Sequence, residues 1–196
     1  MDHGLLLRNI ARYIKLDKDE EEYLIPLLMS KKVKANEVLL EAGDVNSKVI
    51  FVTGGCLRSY ALDSNGFEHI LQFAPPGWWI IDMLSYITGE PSRLNIDAIE
   101  DSEIIYLLKS DFDTIYLEVP KFERFGRILT MNGMATFQHR QIDNVSLSPA
   151  ERYIKFCKLY PSLIRDLPLK QIASYIGVTP EFLTRMLATS VFSKQY

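Results

Sequence analysis

The chain has 196 residues, of which 47% are hydrophobic and 24% are charged, and its formal net charge at pH 7 is −3. These proportions are ordinary for a globular protein. They come without an internal repeat or a low-complexity segment. No apolar run approaches the roughly 20 residues of a membrane-spanning helix, so we expect no membrane partner.

Two features of the sequence indicate the cellular compartment of the protein. The first four residues lack the basic region and apolar core of an export signal. Cys56 and Cys157 have no neighbouring cysteine, which favours buried thiols in a reducing compartment over a disulfide or a metal site. We therefore expect a cytoplasmic protein.

Charge is distributed unevenly along the chain. Residues 148–196 contain seven basic and three acidic residues, a net charge of +4, whereas the rest of the chain carries −7. A cationic end on an anionic body suits contact with phosphates through that end alone. Solvated helix faces are the alternative explanation.

The amino-terminal part reads as two helices, over residues 5–14 and 18–29. Asp17, followed three residues later by Glu20, predicts a capping box at the start of the second helix.

Glycines then recur every eleven or twelve residues, at positions 43, 54–55, 66, 77 and 89, between short β-prone runs. Residues 63–66, Asp-Ser-Asn-Gly, are a strong hairpin signal. This rhythm predicts an antiparallel sandwich or roll rather than alternating βαβ units. The predicted strands cover residues 37–40, 49–53, 57–62, 67–73, 78–81, 93–99 and 103–108.

Helical periodicity returns after Ser110, with a short helix over 111–119 and a long one over 121–144. Residues at three- and four-residue intervals form a seam that suits pairing with a second copy of the chain. Packing of the helix on its own sheet is the alternative for Phe122 and Phe125. The predicted interface residues are Phe125, Ile128, Asn132, Ala135, His139 and Ile142.

A new helix start at residues 148–151 is followed, at 169–186, by the pattern of a helix-turn-helix. Ala173 lets two helices approach closely, and Gly177 permits the positive φ at which the first helix ends. Thr179 suits the N-cap of the second helix and Pro180 its first turn. The second helix of such a motif normally enters the DNA major groove. An ordinary helical hairpin is the alternative.

This order of modules resembles the Crp/Fnr family of bacterial transcription factors across nearly the whole chain. The resemblance implies an α+β fold, with an antiparallel β-roll like that of cyclic-nucleotide-binding domains. The expected domains are a sensor roll with flanking helices at 1–119, a dimerisation helix at 120–146 and a helix-turn-helix domain at 147–196. The family's β-hairpin wing is expected to be truncated or absent, which lowers the expected DNA affinity.

Residues 77–82 and 89–94 align with that family's phosphate-binding cassette, but with departures. Ile81 replaces the cassette glycine, Asp82 replaces the glutamate that binds ribose, and Ser92 replaces the arginine. Arg93 follows one position later, which on a strand places it on the opposite face. We expect a different small effector, or none, rather than cyclic AMP. The candidate ligand-binding residues are Trp79, Ile81, Asp82, Met83, Ser92 and Arg93.

The resemblance places Glu181 and Arg185 where the family reads bases. Glutamate accepts a hydrogen bond from cytosine, and arginine chelates guanine. Pro180 takes a position that often holds a second base-reading arginine, so that contact is absent here. The candidate DNA-binding residues are Lys170, Gln171, Thr179, Pro180, Glu181, Thr184 and Arg185.

We therefore expect a homodimeric regulator that binds double-stranded DNA, and the resemblance adds RNA polymerase as a partner. We expect no enzyme activity, no catalytic residues and no resident cofactor. The three histidines lie far apart in the sequence without the spacing of metal ligands. A small-molecule sensor or protein-interaction module with a degenerate DNA-binding end is the alternative, and a roll-fold enzyme is a weaker third possibility.

Overall fold

The computed structural model describes residues 3–189. Its helices are α1 (Gly4–Ala11), α2 (Lys18–Leu24), α3 (Met83–Thr88), α4 (Lys109–Glu118), α5 (Lys121–Ser146), α6 (Pro149–Leu159), α7 (Leu169–Ile176) and α8 (Pro180–Leu187). Its strands are β1 (Met29–Val33), β2 (Val38–Leu40), β3 (Lys48–Gly54), β4 (Leu57–Leu62), β5 (Glu68–Ala74), β6 (Trp79–Ile80), β7 (Asn95–Ala98) and β8 (Ser102–Leu108).

The described chain divides into two compact units. The first contains residues 3–62 and 71–131, and the second contains residues 63–70 and 132–189. The division falls within α5, and the tip of the β4–β5 hairpin belongs to the second unit.

Two four-stranded sheets form the first unit, in the orders β1-β8-β3-β6 and β2-β7-β4-β5. The described strand pairs are antiparallel, with Phe51 opposite Ile105 and Leu57 opposite Ala98. One apolar cluster includes Val52, Leu57 and Ile104 from both sheets. The predicted antiparallel roll within an α+β fold is confirmed.

A second cluster in this unit joins the helices to the first sheet. Leu6 and Ile10 of α1 pack with Phe51, Phe112 and Phe122, which come from β3, α4 and the start of α5. Burial of these side chains supplies most of the driving force that attaches the short helices, because helices of this length are marginal alone.

Several predicted boundaries are wrong. The capping box between Asp17 and Glu20 is present, but the helix expected over 18–29 ends at Leu24. A 3-10 turn with Pro26 follows, and β1 pairs with β8 as an edge strand whose exposed polar residues conceal it in the sequence. The strand expected over 93–99 begins only at Asn95.

A buried ion pair links β4 to β7. Arg58 Nε and Nη2 donate to the two carboxylate oxygens of Asp97 at 2.7 and 2.9 Å, and both side chains are buried. The guanidinium carbon also lies 4.4 Å from the ring centre of Tyr60. The pair fixes the register of the two strands, because Arg58 stands directly opposite Asp97 in the ladder.

Both cysteines are buried as free thiols. Burial raises the pKa of Cys56 to about 12 and raises the pKa of Cys157 above its usual value. Because the thiolate is the reactive form, burial and the raised pKa both disfavour reaction of these side chains in the folded protein. Within residues 3–189, no helix is long and apolar enough to cross a membrane.

We expect Asp97→Ala to lower the free energy of unfolding by about 3–5 kcal/mol, because it removes the carboxylate that faces a buried guanidinium. Urea denaturation measures this loss. Glu103→Ala is the matched control, since it breaks an exposed 3.4 Å contact with Lys32 and should cost much less. Equal losses in the two variants would contradict the role given to the buried pair.

Candidate functional site

The turn between α7 and α8 has the geometry that the sequence predicts. Gly177 ends α7 at φ +72°, and the amide of Val178 donates to the carbonyl of Ala173 at 3.0 Å. A Cβ on Gly177 would meet nothing within 4 Å, so glycine is favoured there by the backbone conformation alone. The Thr179 hydroxyl then accepts from the Phe182 amide at 3.2 Å and caps α8.

Helix α8 buries one side and exposes the other. Leu183 is fully buried, whereas Glu181, Thr184 and Arg185 are exposed. Thr179 and Pro180 are exposed as well, so five of the predicted DNA-binding residues share the open surface at and beyond the start of α8.

The exposed charges of α8 are available to a ligand. Among residues 3–189, neither Glu181 nor Arg185 forms an ion pair, although they stand four residues apart on one helix. Lys170 is exposed at the start of α7. Gln171 is half-buried, and its Oε1 is buried without a hydrogen-bond partner in the described part of the chain. A DNA contact through that oxygen therefore requires the side chain to move.

Helix α7 is fixed within the second unit by polar contacts to residues 63–70. The amide of Ile70 donates to Ser174 Oγ at 2.9 Å, and the Ser174 hydroxyl donates to the carbonyl of Glu68 at 2.6 Å. Arg140 of α5 donates to the carbonyls of Ile70 and Tyr175 and lies 4.0 Å from the Tyr175 ring centre. Helix α7 is thus held by hydrogen bonds to residues 63–70 and to Arg140 of α5.

Helix α5 exposes a largely apolar stripe over residues 128–145. Met131, Ile142 and Val145 have exposed fractions of 58%, 56% and 86%. With half-buried Ile128, and with exposed Ala135 and Gln138, they recur at alternating intervals of three and four residues. That interval is typical of a helix that pairs with another helix.

The predicted interface residues of α5 differ in exposure. Phe125 is fully buried in the core of the first unit, so its side chain is not available to a partner, a correction to that prediction. Ile128, Ala135 and Ile142 lie on the exposed stripe. Asn132 and His139 are exposed on the neighbouring face, beside a cleft of the second unit. The stripe also contains Met131, Gln138 and Val145, which the pattern anchored on Phe125 does not include.

The cassette is tied together by its own hydrogen bonds. Asp82 Oδ1 accepts from the amides of Leu84 and Ser85 at 3.1 and 3.3 Å and caps α3. Asp82 Oδ2 accepts from the Ser92 hydroxyl at 2.6 Å, and both side chains are buried. Asp82 and Ser92 align with the residues that bind ribose and phosphate in that family. In this chain the two side chains hydrogen-bond to each other.

The other candidate ligand-binding residues do not converge on this pair. Trp79 packs 4.9 Å from Phe51 and 5.9 Å from Phe125, measured between ring centres, and its indole N–H donates to Asn9. Ile81 packs against the same core. Trp79 and Ile81 are therefore half-buried side chains that pack against the core, and their role in ligand binding stays a prediction. Met83 and Arg93 are exposed.

Comparisons with known proteins agree with this architecture. Residues 30–118 match the family model of the cyclic nucleotide-binding domain. FixK2 from Bradyrhizobium japonicum has a TM-score of 0.70 at 20% identity, covering 82% of this chain and 83% of that chain. A protein of the crp/fnr family from Eubacterium rectale has a TM-score of 0.67 at 17% identity, covering 88% and 82%. The chain has the Crp/Fnr fold.

The curated relatives match different parts of this Crp/Fnr-fold chain. A Lacticaseibacillus casei protein named "Probable transcriptional regulator flp" is 21% identical over 182 residues, 86% of this chain and 80% of that protein. Human patatin-like phospholipase domain-containing protein 6 is 28% identical over 100 residues, 48% of this chain. The chain spans only 7% of the length of that human protein. The expectation about a shortened wing concerns residues beyond 189, outside the described part.

Proposed function

We propose that this Crp/Fnr-fold chain is a transcriptional regulator that binds double-stranded DNA through α8. The proposal rests on the observation that α8 buries one side and exposes the other. Leu183 anchors the helix, while Glu181, Thr184 and Arg185 face solvent without ion pairs among residues 3–189. A helix exposed in this way fits the major groove, which is wide enough to admit it.

The exposed side chains suit recognition of bases and phosphates. The Arg185 guanidinium can donate two parallel hydrogen bonds to guanine, and the Glu181 carboxylate can accept from cytosine. Lys170 and Thr179, near the amino-terminal ends of α7 and α8, suit contacts with phosphates, which helix amino-termini also attract. Similarity to flp over most of both chains supports the same class of function.

We propose that the exposed stripe on α5 packs against the same stripe of a second copy of the chain. Burial of Met131, Ile142 and Val145 against a symmetry-related stripe would remove apolar side chains from water. Two copies would then offer two α8 helices to half-sites about 34 Å apart. Contact with RNA polymerase and a cytoplasmic location stay predictions from the sequence.

We infer that the roll does not bind cyclic AMP. The hydrogen bonds from Ser92 and from the α3 amides occupy both oxygens of Asp82. No arginine stands at the position of Ser92 to neutralise a phosphate, and the branched side chain of Ile81 replaces the cassette glycine. A buried carboxylate in this setting would repel a phosphate rather than bind it.

Selection from random duplexes should recover a palindromic site with half-sites one helical turn apart. Arg185→Ala should weaken binding to that site at least about tenfold, because each lost bidentate pair costs about 1–3 kcal/mol. Fluorescence anisotropy measures the affinity. Arg12→Ala removes an exposed arginine of the first unit and is the matched control. Recovery of no palindrome, or equal affinity of both variants, would defeat the proposal.

The double variant Met131→Glu with Ile142→Glu should be monomeric at concentrations where the unchanged protein is dimeric, since it places like charges along the stripe. Sedimentation equilibrium measures the mass. Phe137→Glu is the control, because Phe137 has a similar exposed fraction of 50% but lies on a different face of α5. A monomeric unchanged protein, or dissociation caused equally by Phe137→Glu, would contradict the assigned interface.

Cyclic AMP at millimolar concentration should leave the melting temperature of the protein unchanged. A ligand that binds the native state must raise its stability, so thermal denaturation detects binding at the roll directly. A cyclic-AMP-binding protein of the same fold serves as the positive control. A rise of several degrees would show that the cassette opens and accepts the nucleotide.

A further inference from the structure

The second unit contains a cleft of about 640 Å³ between α5, α6 and the end of α7. Ligand-binding sites in proteins typically have volumes of roughly 300–1,000 Å³. The cleft lies outside the cassette that the Crp/Fnr fold suggests as an effector site.

The floor of the cleft is apolar and aromatic. Leu159 and Tyr175 line it, with Leu159 exposed and Tyr175 half-buried. Phe156 and Ile176 are buried behind them, and the ring centres of Phe156 and Tyr175 are 5.3 Å apart. The accessible apolar surface suits the apolar body of a small ligand.

The wall of the cleft carries more positive than negative charge. Arg140, Arg152, Lys155 and Lys158 line it, and Asp143 is its one carboxylate. Lys155 is paired with Asp143 at 2.6 Å. Arg140 is engaged by the carbonyls of Ile70 and Tyr175, as described above. These two cations are therefore already used by the protein.

Arg152 and Lys158 retain bonding capacity. Arg152 Nη1 donates to the carbonyl of Asn144 at 2.8 Å, but Arg152 Nε is buried without a partner in the described part of the chain. Lys158 is exposed and forms no ion pair among residues 3–189. A buried N–H without an acceptor is costly, and an anionic oxygen is the acceptor that would stabilise it most.

We propose that this cleft binds an amphiphilic organic anion. The apolar body lies against Leu159 and Tyr175, and a single carboxylate, sulfonate or phosphate group accepts from Arg152, with Lys158 also lining the cleft from α6. The ligand would bridge the long helix α5 and the helices that carry the DNA-binding surface. The proposal does not rest on DNA binding, so it can fail or hold independently of that function.

The probe for the test is 8-anilinonaphthalene-1-sulfonate, a flat aromatic body with one anionic group. The full chain should bind it saturably with one site per chain, detected as a rise in probe fluorescence. The uncharged analogue N-phenyl-1-naphthylamine has the same aromatic body, and it should bind at least about tenfold more weakly because it lacks the charge-assisted bond.

Arg152→Gln should weaken sulfonate binding about tenfold and remove the preference over the uncharged analogue. Arg165→Gln is the matched control, since it removes an exposed arginine of the same unit outside the cleft lining. Circular dichroism checks that each variant is folded. If Arg152→Gln is unfolded, Lys158→Gln replaces it and should weaken binding by a smaller factor, with Arg165→Gln unchanged.

Four results would overturn the proposal. The first is unsaturable fluorescence, which indicates dispersed surface binding. The second is equal weakening of probe binding by Arg165→Gln and by the cleft variants. The third is equal affinity of the protein for the charged and uncharged probes. The fourth is loss of probe binding as the protein concentration is raised, which would show that a second copy of the chain fills the cleft.

Discussion

The burial of Ala173 and Leu183 in the α7–α8 pair determines which side of α8 meets solvent. A methyl group at Ala173 permits close approach of the two helices, and Leu183 is the side chain through which α8 packs inward. Because a helix repeats every 3.6 residues, this anchor directs Glu181 and Arg185 outward. The left-handed backbone at Gly177 and the Thr179 cap set where one helix ends and the next begins.

A different constraint governs the roll. The hydrogen bond between Asp82 and Ser92 joins two positions that the family uses for a nucleotide, and it holds them as part of the protein's own structure. Trp79 and Ile81 are half-buried beside this pair and pack against the core that contains Phe51. The Crp/Fnr fold is therefore combined with a cassette whose two polar side chains are hydrogen-bonded to each other. In the second unit, by contrast, the Nε of Arg152 is buried without a hydrogen-bond partner in the described part of the chain.

The local signals in the sequence predicted local structure well. The Gly177 turn and the Asp17 capping box depend on neighbouring residues, and both are present. Features that depend on distant contacts were missed. Strand β1 exists because β8 pairs with it, and the burial of Phe125 depends on contacts with Tyr13 and Trp79, which lie far away in the sequence. The exposure of Glu181, Thr184 and Arg185 follows from helix periodicity, whereas the hydrogen bond between Asp82 and Ser92 joins residues of different elements and has no signal in the sequence.

The most direct measurement of the central claim is DNA cleavage by an iron chelate attached to α8. Thr184→Cys provides the attachment point, and the buried native thiols leave it as the reactive cysteine among residues 3–189. Cleavage on a bound duplex should fall in two clusters whose centres lie about one helical turn apart. A chelate attached through Phe137→Cys should give no such pair. Uniform cleavage from position 184, or the same pattern from both positions, would contradict the account.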